Sequence, residues 1–254
     1  MRDPAEFSRD YLVHYYEIDR KRRLTLPALM HYFEDIATLN SEARGFTLDG
    51  YARTARGFLL LKWDIAVRSW PGFNETVKIV TRPTAFRRFL ANREYSVFGK
   101  DGTSLAEARS VWVFTDMALK KPVRVPDGMY EGFGVPRESG ASFDALEELR
   151  GIAGGSQPVG ITVGTADLDN NGHVNNVRYV EWALQSLPAD FVLGHEVSRV
   201  QVHYRKELQS GEEADLFSEV AERGGLLLSD HSIRSGDKEY CVLRMEWRRQ
   251  PRFC

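Results

Sequence analysis

Residues 167–176 read Asp-Leu-Asp-Asn-Asn-Gly-His-Val-Asn-Asn and stand directly ahead of an amphipathic helix pattern. Amides and carboxylates favour turns and helix caps because their side chains bond nearby backbone groups. A surface turn needs one or two such residues and has no need of a histidine. At a helix N-terminus the group offers a proton carrier, carboxylates and backbone N–H groups aimed at one point. The stretch therefore predicts a hydrolytic site at the start of a helix.

The same stretch is the second member of an internal repeat. Glu17-Ile18-Asp19 matches Asp167-Leu168-Asp169, 150 residues later. Later pairs keep the pattern while the offset falls to 139 and then 135. These pairs are Leu24 with Val174 (still at 150), Gly72 with Gly211, and Trp112 with Trp247. Short loop deletions in the second copy would produce this drift, so the chain is predicted to contain two copies of one unit, each of about 110 to 130 residues.

Each copy is predicted to begin with a strand and then a long helix. In the first copy Thr25 and Pro27 are helix start signals, because Thr caps a helix and Pro is tolerated in its first turn. In the second, Asn175 or Asn176 caps a helix that Pro188 ends. Both helices carry large apolar residues over much of their circumference, which predicts burial against a sheet.

Four strand-like segments follow each helix. They are 58–68, 76–81, 91–98 and 108–115 in the first copy, and 198–207, 214–221, 226–233 and 240–247 in the second. One helix followed by an antiparallel meander predicts an α+β fold, a tandem (double) hotdog in which a curved antiparallel sheet wraps a long central helix. The predicted division is an N-terminal hotdog at 1–125, a linker rich in Gly, Ser and Pro at 126–158, and a C-terminal hotdog at 159–254.

The bulk properties exclude several classes of function. The formal net charge of -2 gives no basic field suited to nucleic acid. No apolar run approaches the roughly 20 residues of a membrane span, and the first residues lack a signal core. Cys241 and Cys254 form neither a disulfide framework nor a metal-ligand spacing, and Cys241 is predicted to lie in the core. We expect a cytoplasmic protein without metal or cofactor.

The two copies differ in charge at corresponding positions. The second copy carries an acid, an amide, an imidazole and, later, a glutamate. At the corresponding positions the first copy carries an aspartate and three cations. The pairs are Asp169 with Asp19, Asn171 with Lys21, His173 with Arg23, and Glu207 with Arg68. We interpret the second copy as catalytic and the first as given over to binding.

Structural roles remain open for each of these residues. His173 could serve as a hydrogen-bonding residue, Asp169 as a charge at the helix start, and Asn171 as a plain turn residue. Strand alternation puts Glu207 on the polar face, so that a bulge or the strand end would have to turn it inward. The basic runs at 20–23, 87–88, 120–124 and 248–252 are either solvated faces or a surface for an acidic protein.

Residues 167–179, with Trp182, Leu184, Ser186 and Pro188 after them, resemble the signature of acyl-acyl carrier protein (acyl-ACP) thioesterases of plant plastids and bacteria. Residues 202–207, Val-His-Tyr-Arg-Lys-Glu, resemble that family's second motif, and 110–113 resemble a strand of its first repeat. The resemblance covers about residues 8 to 248. It departs at Gly172, where plant members have Gln, and at Leu208, where they have a Cys once proposed as a nucleophile.

The resemblance implies a tandem hotdog fold and a catalytic set of Asp169, Asn171, His173 and Glu207. It implies hydrolysis of fatty acyl-ACP to free fatty acid, with water as nucleophile because Leu208 cannot attack a thioester. Backbone N–H groups around Val174 and Asn175, with the Asn171 amide, would hold the oxyanion. The acyl chain would lie in the first copy, beside Leu29, Met30 and Phe33, and that copy would set chain-length preference.

Other functions fit the same residue types. They are an acyl-coenzyme A thioesterase, a hotdog enoyl hydratase or dehydratase, and an acyl-ACP binding module without activity. The implied partner is acyl carrier protein bearing a fatty acyl thioester, with no nucleic acid and no membrane. A tandem hotdog supplies its own pseudo-dimer interface, so either a monomer or a homodimer is compatible with the sequence.

Overall fold

The fold is described from a computed structural model over residues 5–137, 145–152, 157–170 and 172–249. Within these ranges the chain forms five α-helices and eleven strands. The helices are α1 (Leu26–Ala43), α2 (Leu48–Thr54), α3 (Asp127–Phe133), α4 (Asn176–Gln185) and α5 (Ala189–Gly194). The strands are β1 (Phe7–Leu12), β2 (Arg56–Val67), β3 (Thr76–Arg87), β4 (Leu90–Phe98), β5 (Ser104–Asp116), β6 (Lys121–Pro122), β7 (Val159–Thr162), β8 (His195–Tyr204), β9 (Glu213–Arg223), β10 (Leu226–Ser235) and β11 (Lys238–Arg249).

The chain divides into two compact units, residues 1–61 with 67–146 and residues 62–66 with 147–254. The first unit thus continues beyond the predicted end at residue 125, and the predicted linker 126–158 contains helix α3. Proline and glycine, whose abundance predicts a linker here, have a different role in this helix. Pro126 instead precedes the first turn of α3, and Gly134 ends the helix at a φ of +69°. Parts of this segment, 138–144 and 153–156, lie outside the described residues.

In the first unit an antiparallel sheet in the order β1-β3-β4-β5-β2 packs against helix α1. The helix starts as predicted, because the Thr25 hydroxyl accepts a hydrogen bond from the Ala28 amide. Leu29, Met30 and Phe33 on α1 are fully buried. Helix α3 closes a second part of the core, where Phe133 packs with Phe86, Phe114 and other apolar residues in one cluster.

The second unit repeats this order as β7-β9-β10-β11-β8, packed against helix α4, with residues 62–66 of β2 paired to β8. Helix α4 is capped by Asn175, whose side-chain oxygen accepts from the Val177 amide at 2.8 Å. Val177, Val180 and Ala183 form its buried face. Since β1, β2, β3, β4 and β5 occupy the places of β7, β8, β9, β10 and β11, the duplication predicted from sequence is present strand by strand.

The eight strands predicted after the helices are present, as β2 to β5 and β8 to β11, and the strand predicted ahead of each helix is present as β1 or β7. Cys241 is fully buried on β11, as expected. Among the described helices, none is both long enough and apolar enough to cross a bilayer.

Candidate active site

The loop that precedes α4 is held closed by the backbone of two of the predicted site residues. The Asp169 amide donates to the His173 carbonyl at 2.8 Å, and the His173 amide donates to the Asp169 carboxylate at 3.1 Å. Between them Gly172 adopts a φ of +78°, a conformation that glycine reaches without strain. Glycine here therefore suits the turn. Asp169 thus fixes the histidine through its backbone, which leaves the imidazole free to face elsewhere.

Glu207 is turned toward this loop because β8 ends at Tyr204. After the strand, Gln209 forms a bridge with His173, and the Val174 amide donates to the Leu208 carbonyl at 3.2 Å. These two contacts place the Glu207 carboxylate 3.2 Å from His173 Nε2. The His173 side chain is 27% exposed and that of Glu207 is 40% exposed, so water reaches both groups.

A buried tyrosine holds the peptide that follows Glu207. The Tyr179 hydroxyl, on α4, accepts a hydrogen bond from the Leu208 amide at 3.2 Å. Tyr179 is 2% exposed and its ring contacts the rings of Trp182 and Tyr204. Burial raises the pKa of the Tyr179 hydroxyl above its ordinary value, so the group stays neutral. Both backbone groups of Leu208 are thereby fixed, the N–H by Tyr179 and the C=O by the Val174 amide. This holds the neighbouring Glu207 beside His173.

The start of the loop is anchored by Asp167, to which sequence reasoning assigned no role. The Asp167 carboxylate accepts from the Gly164 amide at 2.8 Å and from Arg178 Nε at 2.7 Å. Arg178 also pairs with Glu181. The spacing of Asp167 and Arg178 did not identify this pair, because Asp167 ends a 3-10 helix, Arg178 lies on α4, and a loop separates the two elements. Tyr179 was missed for a similar reason, since its partner is a backbone amide 29 residues later.

Two of the predicted oxyanion donors, the backbone amides of Val174 and Asn175, are already engaged in hydrogen bonds. The Val174 amide is bonded to the Leu208 carbonyl, and the Asn175 amide donates to the Asp167 carbonyl at 2.8 Å. That prediction was wrong because the loop uses both N–H groups to close on its neighbours. Asn171 lies outside the described residues, so the structure brings together Asp169, His173 and Glu207 of the four predicted residues.

The first copy builds the same loop with different side chains. The Asp19 amide donates to the Arg23 carbonyl at 2.8 Å, and the Arg23 amide donates to the Asp19 carboxylate at 3.1 Å. Arg22 occupies the place of Gly172 at a φ of +62°. The Leu24 amide donates to the Pro71 carbonyl at 2.9 Å. These three backbone contacts of the second-copy loop thus have counterparts in the first copy, with the loop residues themselves 150 positions earlier.

These contacts correct the pairing of Glu207 with Arg68. Pro71 takes the place of Leu208, which is 137 residues later, and not 139 as the pairing of Gly72 with Gly211 assumed. The residue opposite Glu207 is therefore Trp70. The alignment failed because both copies carry a tight turn here, and glycine occupies different positions of it. The contrast between the copies remains, with an indole where the second copy has a carboxylate.

Neither Leu208 nor Cys241 can serve as a nucleophile. Leu208 is fully buried and has no reactive group. Cys241 is also fully buried, and burial raises the pKa of its thiol well above the ordinary value. His173 and Glu207 face one another beside the loop, and both side chains are open to solvent. Such a pair can position and deprotonate a water molecule.

Comparison with known proteins gives two family matches. The model of the acyl-ACP thioesterase N-terminal domain matches residues 4–133, and that of the acyl-ACP thioesterase C-terminal domain matches residues 155–249. The chain is 26% identical over 243 residues to oleoyl-acyl carrier protein thioesterase 1, chloroplastic, of Arabidopsis thaliana, covering 88% of this chain and 66% of that relative. It spans 62% to 66% of the length of this and two further curated relatives.

Two solved structures share the fold along nearly the whole chain. A proposed oleoyl thioesterase from Lactobacillus plantarum superposes with a TM-score of 0.87 at 26% identity, covering 97% of each chain. A 12:0-ACP thioesterase from Umbellularia californica superposes with a TM-score of 0.85, covering 97% of this chain and 95% of that chain. Its identity of 22% makes it evidence for the fold alone. The predicted tandem hotdog is confirmed.

Proposed function

The chain belongs to the acyl-ACP thioesterase family, as its motifs predicted, and on that premise we propose that it hydrolyses fatty acyl-ACP to free fatty acid and the carrier thiol, terminating fatty acid synthesis. The observation that carries this proposal is the pair of His173 and Glu207, 3.2 Å apart and open to water in the second unit. The first copy has Arg23 and Trp70 instead, so we assign catalysis to the second.

In the proposed mechanism Glu207 accepts a proton from water as the water oxygen attacks the thioester carbonyl carbon. His173 donates a hydrogen bond through Nε2 that orients the carboxylate. Asp169 keeps the histidine backbone in place. When the carbon–sulfur bond breaks, Glu207 returns the proton to the departing thiolate, so that one water is consumed and one acid and one thiol are formed. The Asn171 amide is the proposed oxyanion donor.

Acyl carrier protein is the proposed carrier, and two observations support it. Arg20 and Arg22 are exposed in the basic run at 20–23, and an acidic protein carrier would be attracted to such a surface. The same run lies beside Tyr15 and Tyr16, which are 79% and 80% exposed. Exposed aromatic rings next to arginine are the composition common at protein interfaces.

The test is free-thiol release from medium- and long-chain acyl-ACP and from the matching coenzyme A thioesters. Wild type is compared with His173→Ala and with a matched control, His31→Ala, whose histidine is exposed on α1. We expect release from the carrier-protein set that His173→Ala loses and His31→Ala keeps. Faster release from coenzyme A would overturn the carrier assignment. Water addition to enoyl thioesters without thiol release would indicate a hydratase.

A further inference from the structure

A buried arginine lies inside the first unit without a carboxylate partner among the described residues. Arg93, on β4, is 8% exposed. Its two hydrogen bonds go from Nη1 to neutral groups, the Asn40 side-chain oxygen at 3.0 Å and the Thr81 hydroxyl at 3.2 Å. Burial lowers the pKa of the guanidinium, yet arginine remains charged in proteins. A buried charge with only neutral partners is costly, so its presence calls for an explanation.

Asn40, which accepts one of the two Arg93 hydrogen bonds, carries a side-chain donor that is not used. Asn40 is fully buried on α1, and its side-chain Nδ2 has no hydrogen-bond partner. Because the Asn40 oxygen accepts from Arg93, the unpartnered Nδ2 of the same amide lies close to the guanidinium. Buried polar groups without partners are rare in proteins, and each needs a partner such as water or a ligand. An occupant that only accepts hydrogen bonds and carries negative charge would satisfy both groups.

The second unit provides an internal control for this place in the fold. Thr81 of the first unit corresponds to Ser218 of the second. The strand register then makes Ser229 the counterpart of Arg93. Ser229 belongs to a closed neutral network in which His231 contacts both serines, at 2.8 Å to Ser218 and 2.9 Å to Ser229, and Trp247 Nε1 donates to Ser229 at 2.8 Å. The fold itself therefore does not require a buried cation at this position.

Apolar surface continues directly from the arginine. The Arg93 guanidinium lies 5.9 Å from the centre of the Phe133 ring, which belongs to the buried aromatic cluster of the first unit. The rim of that cluster is formed by partly buried apolar residues: Phe46, Tyr51, Phe58, Trp112, Val123 and Tyr130. The rim residues are only partly buried, so a bound apolar chain would reach the cluster by displacing rim side chains, with its charged end at Arg93.

We propose that Arg93 and Asn40 form a binding site, within the first unit, for the carboxylate of a free fatty acid whose chain lies against the aromatic cluster. A guanidinium matches a carboxylate in shape and charge, and a pair of this kind can be bidentate. Naming the ligand as a fatty acid rests on the proposed function, of which it is the product. The site would make the enzyme sensitive to its own product at a place separate from the His173–Glu207 pair.

The test is calorimetric titration of the full chain with decanoate and with 1-decanol, which has the same apolar chain but no carboxylate. We expect decanoate to bind at least about tenfold more tightly, the ratio that one good charged hydrogen-bonded contact produces. Arg93→Met is expected to abolish the preference. Arg82→Met, the same change at an exposed position on the neighbouring strand, is expected to keep it. Equal affinity for acid and alcohol in wild type would overturn the proposal.

Two further variants keep the result interpretable. If Arg93→Met does not fold, Arg93→Lys retains the charge but loses the fork, and Asn40→Leu retains the arginine; each is expected to weaken decanoate at least about threefold and to leave 1-decanol unchanged. An unchanged acid preference in both would overturn the site. His173→Ala is expected to bind decanoate like wild type. If wild type releases thiol normally but binds decanoate no more tightly than 1-decanol, the carboxylate site is wrong and the proposed function stands. If it prefers decanoate but releases no thiol, the proposed function is wrong and the carboxylate site stands.

Discussion

The loops that contain Asp19 and Asp169 share the same backbone hydrogen bonds among their described residues but carry side chains of different chemistry. In both, an aspartate amide bonds the carbonyl four residues later, and the aspartate carboxylate bonds the returning amide. The copies differ in the side chains at two corresponding positions. These are Arg23 and Trp70 in the first copy, and His173 and Glu207 in the second. The aspartate is therefore explained by loop closure in either copy, and the presence of Asp169 alone does not predict catalysis. The imidazole and the carboxylate carry that prediction.

The copies also differ at the residue that follows Trp70 in the first copy and Glu207 in the second. In the second copy the Leu208 amide needs an acceptor, and the Tyr179 hydroxyl supplies it. In the first copy the corresponding residue is Pro71, which has no N–H, and Leu29 takes the place of Tyr179. The tyrosine is thus present in the copy where a carboxylate must be held and absent where none exists.

The largest expected effect comes from the pair itself. Glu207→Gln keeps the shape of the side chain but removes the base, and we expect thiol release to fall by about 10² to 10⁴-fold. Adding His173→Ala is expected to cost little more, because the two residues act as one unit. Melting temperature is expected to stay near that of wild type, since both side chains are partly exposed. The control is Glu222→Gln, an exposed glutamate on β9. Near-normal release by Glu207→Gln would remove the catalytic assignment.

A second expectation concerns acid stability, because the described buried histidines lie in the second unit. Burial lowers the pKa of His231 and of His203 to about 4. The unfolded chain binds these protons near pH 6.5 and the folded unit does not, so stability is full above that pH and declines as pH falls toward 4. Each histidine contributes up to about 3 kcal/mol to the decline.

Amide hydrogen exchange at several pH values between 6.5 and 4, corrected for intrinsic rates, measures this unit by unit. The place of His231 is taken in the first unit by Tyr95, which does not titrate in this range. We therefore expect opening free energies to fall more steeply in the second unit, and His231→Gln to flatten the slope there. Equal slopes in the two units would contradict the assignment.

A third expectation tests the tyrosine. Tyr179→Phe leaves the Leu208 amide without its acceptor. The backbone next to Glu207 is then held only by the hydrogen bond from the Val174 amide to the Leu208 carbonyl. We expect kcat to fall about tenfold while KM changes less than about twofold, since a misplaced base costs turnover rather than binding. Tyr204→Phe is the matched control, because it removes a hydroxyl that donates to the Asn176 carbonyl at 2.9 Å. Equal losses in both variants would reduce Tyr179 to a role in stability.

The comparison also shows what the sequence could predict. Helix α1, helix α4 and eight strands followed from apolar periodicity and caps such as Thr25 and Asn175, which are local signals. The short strands β1, β6 and β7 have weaker patterns. Helix α3 within the predicted linker was not foreseen, because proline and glycine mark linkers but also begin and end helices, as Pro126 and Gly134 do here. Residue types predicted His173 and Glu207, and strand alternation alone would have placed Glu207 on the wrong face.

Long-range contacts account for the features that were missed. The pairing of Glu207 with Arg68 failed by two residues, since a glycine match carries no information about which position of a turn it occupies. The bonds of Tyr179 to Leu208 and of Arg93 to Asn40 join residues 29 and 53 positions apart. No periodicity in the chain encodes such pairs, and they appear only when strands and helices have been brought together.

The smallest expected effect is at Arg23, which occupies the place of His173 in the first copy. Its loop contacts use backbone atoms, so Arg23→Ala is expected to leave the loop intact and kcat within about twofold of wild type. If the basic run attracts an acidic carrier, KM for acyl-ACP rises by about threefold at low salt, the rise disappears at high salt, and KM for acyl-coenzyme A is less affected. A large fall in kcat would mean that the first copy takes part in the chemistry, and the division between a binding and a catalytic copy would have to be abandoned.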